Sequence, residues 1–246
     1  MGTEKPRLMA PEEKGKVLET LRAAFYDDPL CVHLLPSTKA RDRWLGFGLE
    51  ALFALDSQPW IQVLDDCAGA IAAYPPGPSD GGLFAGLADY LGKLPSGRVA
   101  GAAVRATVSK LLKKADTSAP SGSGRGSVLK SVLGVASRME IAGVPGGALV
   151  GFLRLLAAME TREIAEPHYY VLFLAVHPDR RGRGLARRLL GGVLAEADKA
   201  GVPCYGDATS VESLRFCEHM GFEVRQELRP LGDGPPMWLV AHPYGG

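Results

Sequence analysis

The stretch His177-Pro178-Asp179-Arg180-Arg181-Gly182-Arg183-Gly184-Leu185-Ala186 concentrates residue types that bind anions. Five arginines, at 180, 181, 183, 187 and 188, fall within nine positions. Gly182 and Gly184 have no Cβ, so their backbone can approach a ligand closely. A helical pattern follows directly. Its first turn has amides without intrahelical partners, and the positive end of the helix dipole lies there. A diphosphate is the natural occupant of such a cradle. The order is not GxxxxGK[ST], which excludes a P-loop. It is not GxGxxG, because Arg187 holds the sixth position.

The elements that must hold this loop are legible on both sides. Tyr169 to Val176 (YYVLFLAV) is almost wholly apolar and β-rich, which predicts a central strand. From Gly184 to Ala200 a helix is predicted, with Leu185, Leu189, Val193 and Ala197 on one face and Gly201 as its cap. Val202 to Asp207 reads as a strand, Ser210 to Met220 as a short helix ending at Gly221, and Phe222 to Leu228 with Met237 to Ala241 as a closing antiparallel pair. Upstream, Leu8 and Met9 end a short strand. Glu12 to Tyr26 is a helix with Val17, Leu18, Leu21 and Phe25 inward, stopped by Asp27, Asp28 and Pro29. Lys39 to Leu55 is a second helix, with Trp44, Phe47, Ala51 and Leu55 on one side. Trp60 to Leu64 and Ala68 to Tyr74 form a hairpin about Asp65 and Asp66. Between about 78 and 160, helical patterns (83–91, 104–112, 148–160) alternate with Gly and Ser clusters. SAPSGSGRGS at 118–127 reads as a flexible loop. The reading is one domain, 1–246, with a helical insertion before the central strand.

Composition narrows the partners. Lys and Arg total 28 against 27 Asp and Glu, so no whole-molecule field exists to hold nucleic acid or a membrane, and any polyanion needs a local patch. The four cysteines, Cys31, Cys67, Cys204 and Cys217, form no CxxC pair, which argues against zinc and against a disulfide framework and favours a reducing cytoplasm. The longest apolar candidate, Ala148 to Met159, contains Arg154 and falls short of the roughly 18 residues of a membrane span. MGTEKPRL lacks the apolar core of a signal peptide.

Arg181-x-x-Gly184-x-Ala186, preceded by Val176-x-Pro178, resembles the coenzyme A pyrophosphate loop of the GNAT superfamily of N-acyltransferases. Ser213-Leu-Arg-Phe-Cys217-Glu-His-Met-Gly221-Phe222 is similar to the family's second signature, Asn-x-x-x-Tyr-x-x-x-Gly-Phe. His168-Tyr169-Tyr170, the N-terminal LRAAFYDDP and the final PPMWLV resemble the puromycin N-acetyltransferase-like branch. The resemblance is specific over about 168–241, weaker over 8–77, and absent from most of 78–160. It implies an α/β fold, a mixed and mostly antiparallel twisted sheet flanked by helices. It implies acetyl-CoA as acyl donor and no metal. The pantetheine arm would pair with the backbone of Leu174, Ala175 and Val176, in a strand that splays from its neighbour. The pyrophosphate would take amides across Gly182, Arg183, Gly184, Leu185 and Ala186, beside Arg181, with Ser213 in the position of the family's asparagine. An amide near Val176 would stabilise the oxyanion, the acceptor attacking from the opposite side of the sheet.

The family's tyrosine, which protonates the leaving thiolate, is Cys217 here. A thiol titrates near roughly 8.5, so Cys217 can be read as that acid, as a nucleophile if a neighbour lowers its pKa, or as an apolar filler on its helix. Asp207 is the first choice of general base, since the puromycin-like branch carries an acid there. An Asp capping the turn Ala208-Thr209-Ser210 is the equal alternative. Tyr170 and His168 follow as bases, while His177 reads as an exposed loop residue and His219 as outward-facing. The expected function is acetyl transfer to a primary amine of a small molecule, of antibiotic or secondary-metabolite type, by a monomer or homodimer. A non-catalytic acyl-CoA-binding module and a protein or peptide N-acetyltransferase are the alternatives. A nucleic-acid binder is disfavoured by the net charge and the lack of interleaved aromatics.

Overall fold

A computed structural model of the chain describes residues 5–52, 60–76, 148, 151, 154, 155, 164 and 166–245. In chain order these form β1 (Arg7–Leu8), α1 (Lys14–Phe25), α2 (Pro29–Leu34), α3 (Thr38–Leu52), β2 (Trp60–Leu64), β3 (Gly69–Tyr74), β4 (Tyr169–Val176), α4 (Leu185–Ala200), β5 (Cys204–Ala208), α5 (Val211–His219), β6 (Glu223–Leu228) and β7 (Met237–His242). One sheet has the order β1-β2-β3-β4-β5-β7-β6. Only β4 and β5 run parallel. This is the predicted mixed, mostly antiparallel sheet with flanking helices. The helical patterns at 83–91 and 104–112 and the loop 118–127 lie outside the described residues. Of the helix predicted at 148–160, positions 148, 151, 154 and 155 are described, and all four are helical.

Helix α4 is built as its periodicity requires. Leu185, Leu189, Val193 and Ala197 are buried, joined by Leu190 and Leu194, and pack with Leu64, Ile71 and Ala73 from the sheet. Gly69 lets β3 meet this helix, since a Cβ there would lie 3.0 Å from Leu189 Cδ1 and 3.4 Å from Leu185 Cβ. Gly201 ends the helix in the left-handed conformation, φ 67°, and its amide donates to the Ala197 and Asp198 carbonyls. Leu189 is fully buried. Leu189→Ala is therefore expected to lower the unfolding free energy by about 2–5 kcal/mol in urea titration. A loss under about 1 kcal/mol would mean that α4 is not seated as described.

Two readings change. The segment after Asp28 is not only a stop. Asp28 Oδ1 accepts from the amides of Leu30 (2.9 Å) and Cys31 (3.4 Å), which starts the short helix α2. Helix α3 is described over Thr38–Leu52 and buries Arg41, Trp44, Leu45 and Leu49. Of the predicted face Trp44 is buried, while the side chains of Phe47 and Ala51 and the whole of Leu55 lie outside the described residues. In β4 the alternation breaks at Leu172. Ala72 pairs with Phe173 but Ala73 with Val171, so Leu172 bulges out of the register. Tyr169 and Val171 face the α4 core before the bulge, and Leu174 and Val176 face it afterwards. An uninterrupted strand would have turned Leu174 and Val176 to the opposite face.

Candidate active site

The loop from Arg181 to Gly184 leaves the C-terminal end of β4 and enters α4. Its start is pinned from the β2–β3 turn, where Asp65, Asp66 and Cys67 all have positive φ. The His177 amide donates to Ala68 O at 2.8 Å, and Arg180 lies 3.7 Å from Asp65. Gly182 and Gly184 take φ of 76° and 74°, which an L side chain rarely adopts. Gly184 is the N-cap of α4 and has no side chain to cap it. Among the described residues, the amides from Gly182 to Arg187 have no acceptor within the protein. Arg181, Gly182, Arg183 and Gly184 are exposed, Ala186 is half-buried, and the Leu185 side chain belongs to the core. The predicted cradle therefore exists as a row of open amides at a helix N-terminus, with arginines around it.

Next to the cradle the sheet opens. β4 pairs with β5 only from Tyr169 to Val171, against Cys204 to Gly206. Beyond Val171 the two strands no longer pair, and among the described residues no strand lies along that edge of Leu172–Val176. The predicted buried central strand is accordingly only half-buried at Leu172, Leu174 and Val176, while Phe173 and Ala175 are buried. From Val171 to Val176 the strand rises about 16–17 Å. The gap has its vertex at Val171 and Gly206 and its mouth beside the cradle.

Two of the predicted catalytic residues meet at that vertex. The Tyr170 hydroxyl donates to Asp207 Oδ2, across 37 residues of chain. Helix α5, which follows Asp207, is capped by Ser210. Its hydroxyl accepts from the Ser213 amide at 3.0 Å. Tyr170 and its register partner Tyr205 lie on the face of the sheet opposite α4, with Leu239, Ala241 and Ile164. The Tyr205 hydroxyl donates to Glu166 Oε1 at 2.6 Å, and His168 meets the Tyr205 ring edge-on at 5.2 Å. Burial and the Glu166 carboxylate push the Tyr205 phenol up to about 12.

The other predicted residues are placed elsewhere. Cys217, on α5, packs half-buried against the α4 core with Leu214, Phe216 and Met220. Burial, then the charge of Glu218, pushes its thiol up to about 11. Nothing lowers it, so the nucleophile reading has no support from its surroundings. The Ser213 hydroxyl is held in the α5 cap, accepting from the amides of Thr209 (3.2 Å) and Ser210 (3.0 Å) and donating to Ser210 O (2.9 Å). His219 is exposed, as expected, with Nδ1 2.6 Å from Arg215 O. His177 is half-buried rather than fully exposed, and its Nδ1 accepts from the Asp179 amide at 3.4 Å.

Sequence reasoning passed over one contact. Thr209 donates to Asp28 Oδ2 at 2.6 Å, joining residues 181 positions apart. Burial raises the Asp28 carboxyl, opposed by the hydrogen bonds from Thr209, Cys31 and Leu30. The only local signal was Asp-Pro, which marks a turn or helix start and says nothing of a partner in the C-terminal third. Among the described residues no group of three His, Cys, Asp or Glu is placed to hold a metal, and no helix is long and apolar enough to cross a membrane.

Comparison with known proteins agrees with this geometry. The model of the Acetyltransferase (GNAT) family matches residues 136–222, a stretch that includes β4, the cradle, α4, β5 and α5. The fold is similar to that of the histone acetyltransferase HPA2 and related acetyltransferase from Corynebacterium glutamicum, at 16% identity over 99% of this chain and 98% of that one, with a TM-score of 0.54. Looser likenesses join it to a mosquito arylalkylamine N-acetyltransferase like 5b (20% identity, 96% and 97% covered, TM-score 0.45) and to the polyamine N-acetyltransferase of Drosophila melanogaster (18% identity, 96% and 97% covered, TM-score 0.47).

Proposed function

We propose that this chain is a GNAT-type acyltransferase, the family whose model matches residues 136–222, and that it transfers the acetyl group of acetyl-CoA to the primary amine of a small molecule, by direct attack on the thioester. The observation that carries this reading is the gap between β4 and β5, with the open amides of Gly182–Arg187 at its mouth and the Tyr170–Asp207 pair at its vertex. A diphosphate at the cradle would receive backbone amides and the side chain of Arg181. The open edge of Leu174, Ala175 and Val176 then accepts an extended arm that hydrogen-bonds like a strand. The span of about 16–17 Å brings the thioester to the vertex.

The chemistry belongs at that end. The amide best placed to stabilise the oxyanion is one at the Leu172 bulge, beside the vertex, rather than one near Val176 at the mouth. The acceptor approaches on the face that carries Tyr170, Tyr205 and Asp207. The Asp207 carboxylate, oriented by Tyr170, receives its ammonium nitrogen. The tyrosines and carboxylates on this face suit a small, cationic acceptor. The similarity of His168–Tyr170 and of residues 21–29 to the puromycin-like branch supports an acceptor of antibiotic or secondary-metabolite type.

Cys217 has no part in this scheme beyond packing. A thiol near 11 is a weaker acid than the thiol it would have to protonate, so the leaving thiolate takes its proton from the nascent amide or from water. Cys217→Ala is therefore expected to keep kcat within about threefold of the parent protein. A loss of a hundredfold or more would restore the thiol as the acid.

The function itself is tested by thermal shift with coenzyme A and acetyl-CoA, then by thiol release across a panel of primary amines. No shift with either nucleotide ends the proposal. A shift without thiol release on any amine would leave a binding module.

A further inference from the structure

Among the described residues one charged side chain is buried, Arg41 on α3, at 7% exposure. Burying a charge is costly unless a counter-charge and hydrogen bonds compensate it. Arg41 forms no ion pair with the described residues. Both of its hydrogen bonds use one nitrogen. Nη1 donates to Leu35 O at 2.8 Å and to Pro36 O at 3.2 Å, just past the C-terminal end of α2. Those carbonyls offset part of the charge. The guanidinium also lies over the Tyr26 ring, 5.0 Å from its centroid. Nε is buried without a hydrogen-bond partner, and Nη2 has none among the described residues. The ring and the two carbonyls thus fix the plane and one end of the group. What remains is the edge formed by Nε–H and Nη2–H, two parallel donors that match the two oxygens of a carboxylate.

This edge lies near the acceptor face. Tyr26 stands two residues before Asp28, whose Oδ2 accepts from Thr209 at 2.6 Å, and Thr209 stands two residues after Asp207. Arg41 also acts on the first turn of α2. Burial and the charge of Asp28 push the Cys31 thiol up to about 12, and the charge of Arg41 opposes them. The six residues of α2 rise about 9 Å, which sets the scale of the separation between Asp28 at its start and the Arg41 anchor past its end.

We propose that Arg41 binds a carboxylate of the acceptor through Nε and Nη2, so that the substrate is a primary amine carrying a carboxylate on a spacer. The cationic end of the acceptor stays at Asp207, and the spacer runs along α2 to the guanidinium. An anion offsets the burial of the charge, which a neutral polar group does not. A planar group with two equivalent oxygens satisfies both free donors at once. A lysine at the same position would supply charge without the fork.

The assignment rests on the acetyl-transfer reading and is tested within it, on the full chain, by thiol release from acetyl-CoA. The probes are unbranched ω-amino acids from glycine to 8-aminooctanoate, each paired with its methyl ester, which keeps the shape and removes the charge. In the parent protein at least one chain length is expected to show kcat/KM about tenfold or more higher for the acid than for the ester. Arg41→Lys is expected to bring acid and ester to within about threefold of each other at that length, chiefly through KM of the acid. The KM for acetyl-CoA is expected to stay within twofold. A purely structural role for Arg41 would lower Tm and slow both members of a pair alike, and would leave their ratio unchanged. The comparison of acid with ester in the parent protein decides the matter even if Arg41→Lys does not fold. Equal rates for acid and ester at every length, or a folded Arg41→Lys that keeps the parent preference, overturns the assignment while acetyl transfer stands. A parent protein that binds acetyl-CoA but acetylates no amine, with or without a carboxylate, overturns both.

Discussion

Gly184→Val is expected to weaken acetyl-CoA binding by a hundredfold or more, measured as Kd by calorimetry. Gly184 has a φ of 74°, and a β-branched residue there meets strain of about 1–2 kcal/mol in the left-handed region. Among the described residues other than its chain neighbours, no atom lies within 4 Å of the Cβ that valine would add. The chain therefore need not unfold to accommodate it. The loop can relieve the strain by turning its amides away from the cradle, and the side chain then fills the space where a diphosphate must sit. A hydrogen bond to a charged group is worth roughly 1.5–3 kcal/mol, so losing two of them is a factor of at least a hundred in affinity. Gly191→Ala is the control. Gly191 lies inside α4, with nothing within 4 Å of its Cβ position. Alanine there is expected to leave Kd unchanged and to raise stability by about 1 kcal/mol through helix propensity. If Gly184→Val bound acetyl-CoA as tightly as the parent protein, the cradle would not be the diphosphate site.

Tyr170→Phe should lower kcat/KM for the amine by about 10- to 100-fold while Tyr205→Phe changes it by less than about threefold. The two tyrosines are register partners on one face, and each donates to a carboxylate. They differ in where that carboxylate stands. Tyr170 holds Asp207, at the vertex where β4 and β5 part. Tyr205 holds Glu166, which precedes β4 and is exposed. Removing the Tyr170 hydroxyl takes away a hydrogen bond that orients the Asp207 carboxylate for the acceptor proposed above. The loss is that of one hydrogen bond to a charged group, about 1.5–3 kcal/mol. The KM for acetyl-CoA is expected to stay within twofold in both variants, because neither hydroxyl faces the cradle. Equal losses in the two variants would remove the vertex as the place of reaction.

Much of this site could be read before any fold was known. The cradle, the strand before it and the helix after it are continuous in sequence, and each has a local physical signature. Glycines tolerate positive φ, an eight-residue apolar run makes a strand, and Leu185, Leu189, Val193 and Ala197 repeat at helical spacing. The closing pair β6 and β7 was legible for the same reason. What failed did so where a distant partner decided the matter. Asp28 looked like a stop signal because its Oδ2 partner lies 181 residues away. Thr20 was not placed in the core, yet it is buried because its hydroxyl reaches Cys67 O at 2.7 Å on the β2–β3 turn.

The sequence by itself determined the order and type of elements over the C-terminal third, and the glycine–arginine loop at the N-terminus of α4 that we propose holds a diphosphate, since backbone sterics and hydrophobic periodicity act over a few residues. It also placed a cysteine where a proton donor was expected. Only the tertiary structure shows what surrounds that cysteine. Cys217 packs half-buried against the α4 core, and burial pushes its thiol up to about 11. Only the tertiary structure placed the Leu172 bulge, which depends on register against β3, and opened β4 from β5 after three paired residues. And it alone brought Tyr170 to Asp207 and Asp28 to Thr209. Hydrogen bonds are short-ranged, so the chemistry of a carboxylate is set by whichever donor the fold carries to within 3 Å of it, however far along the chain that donor lies.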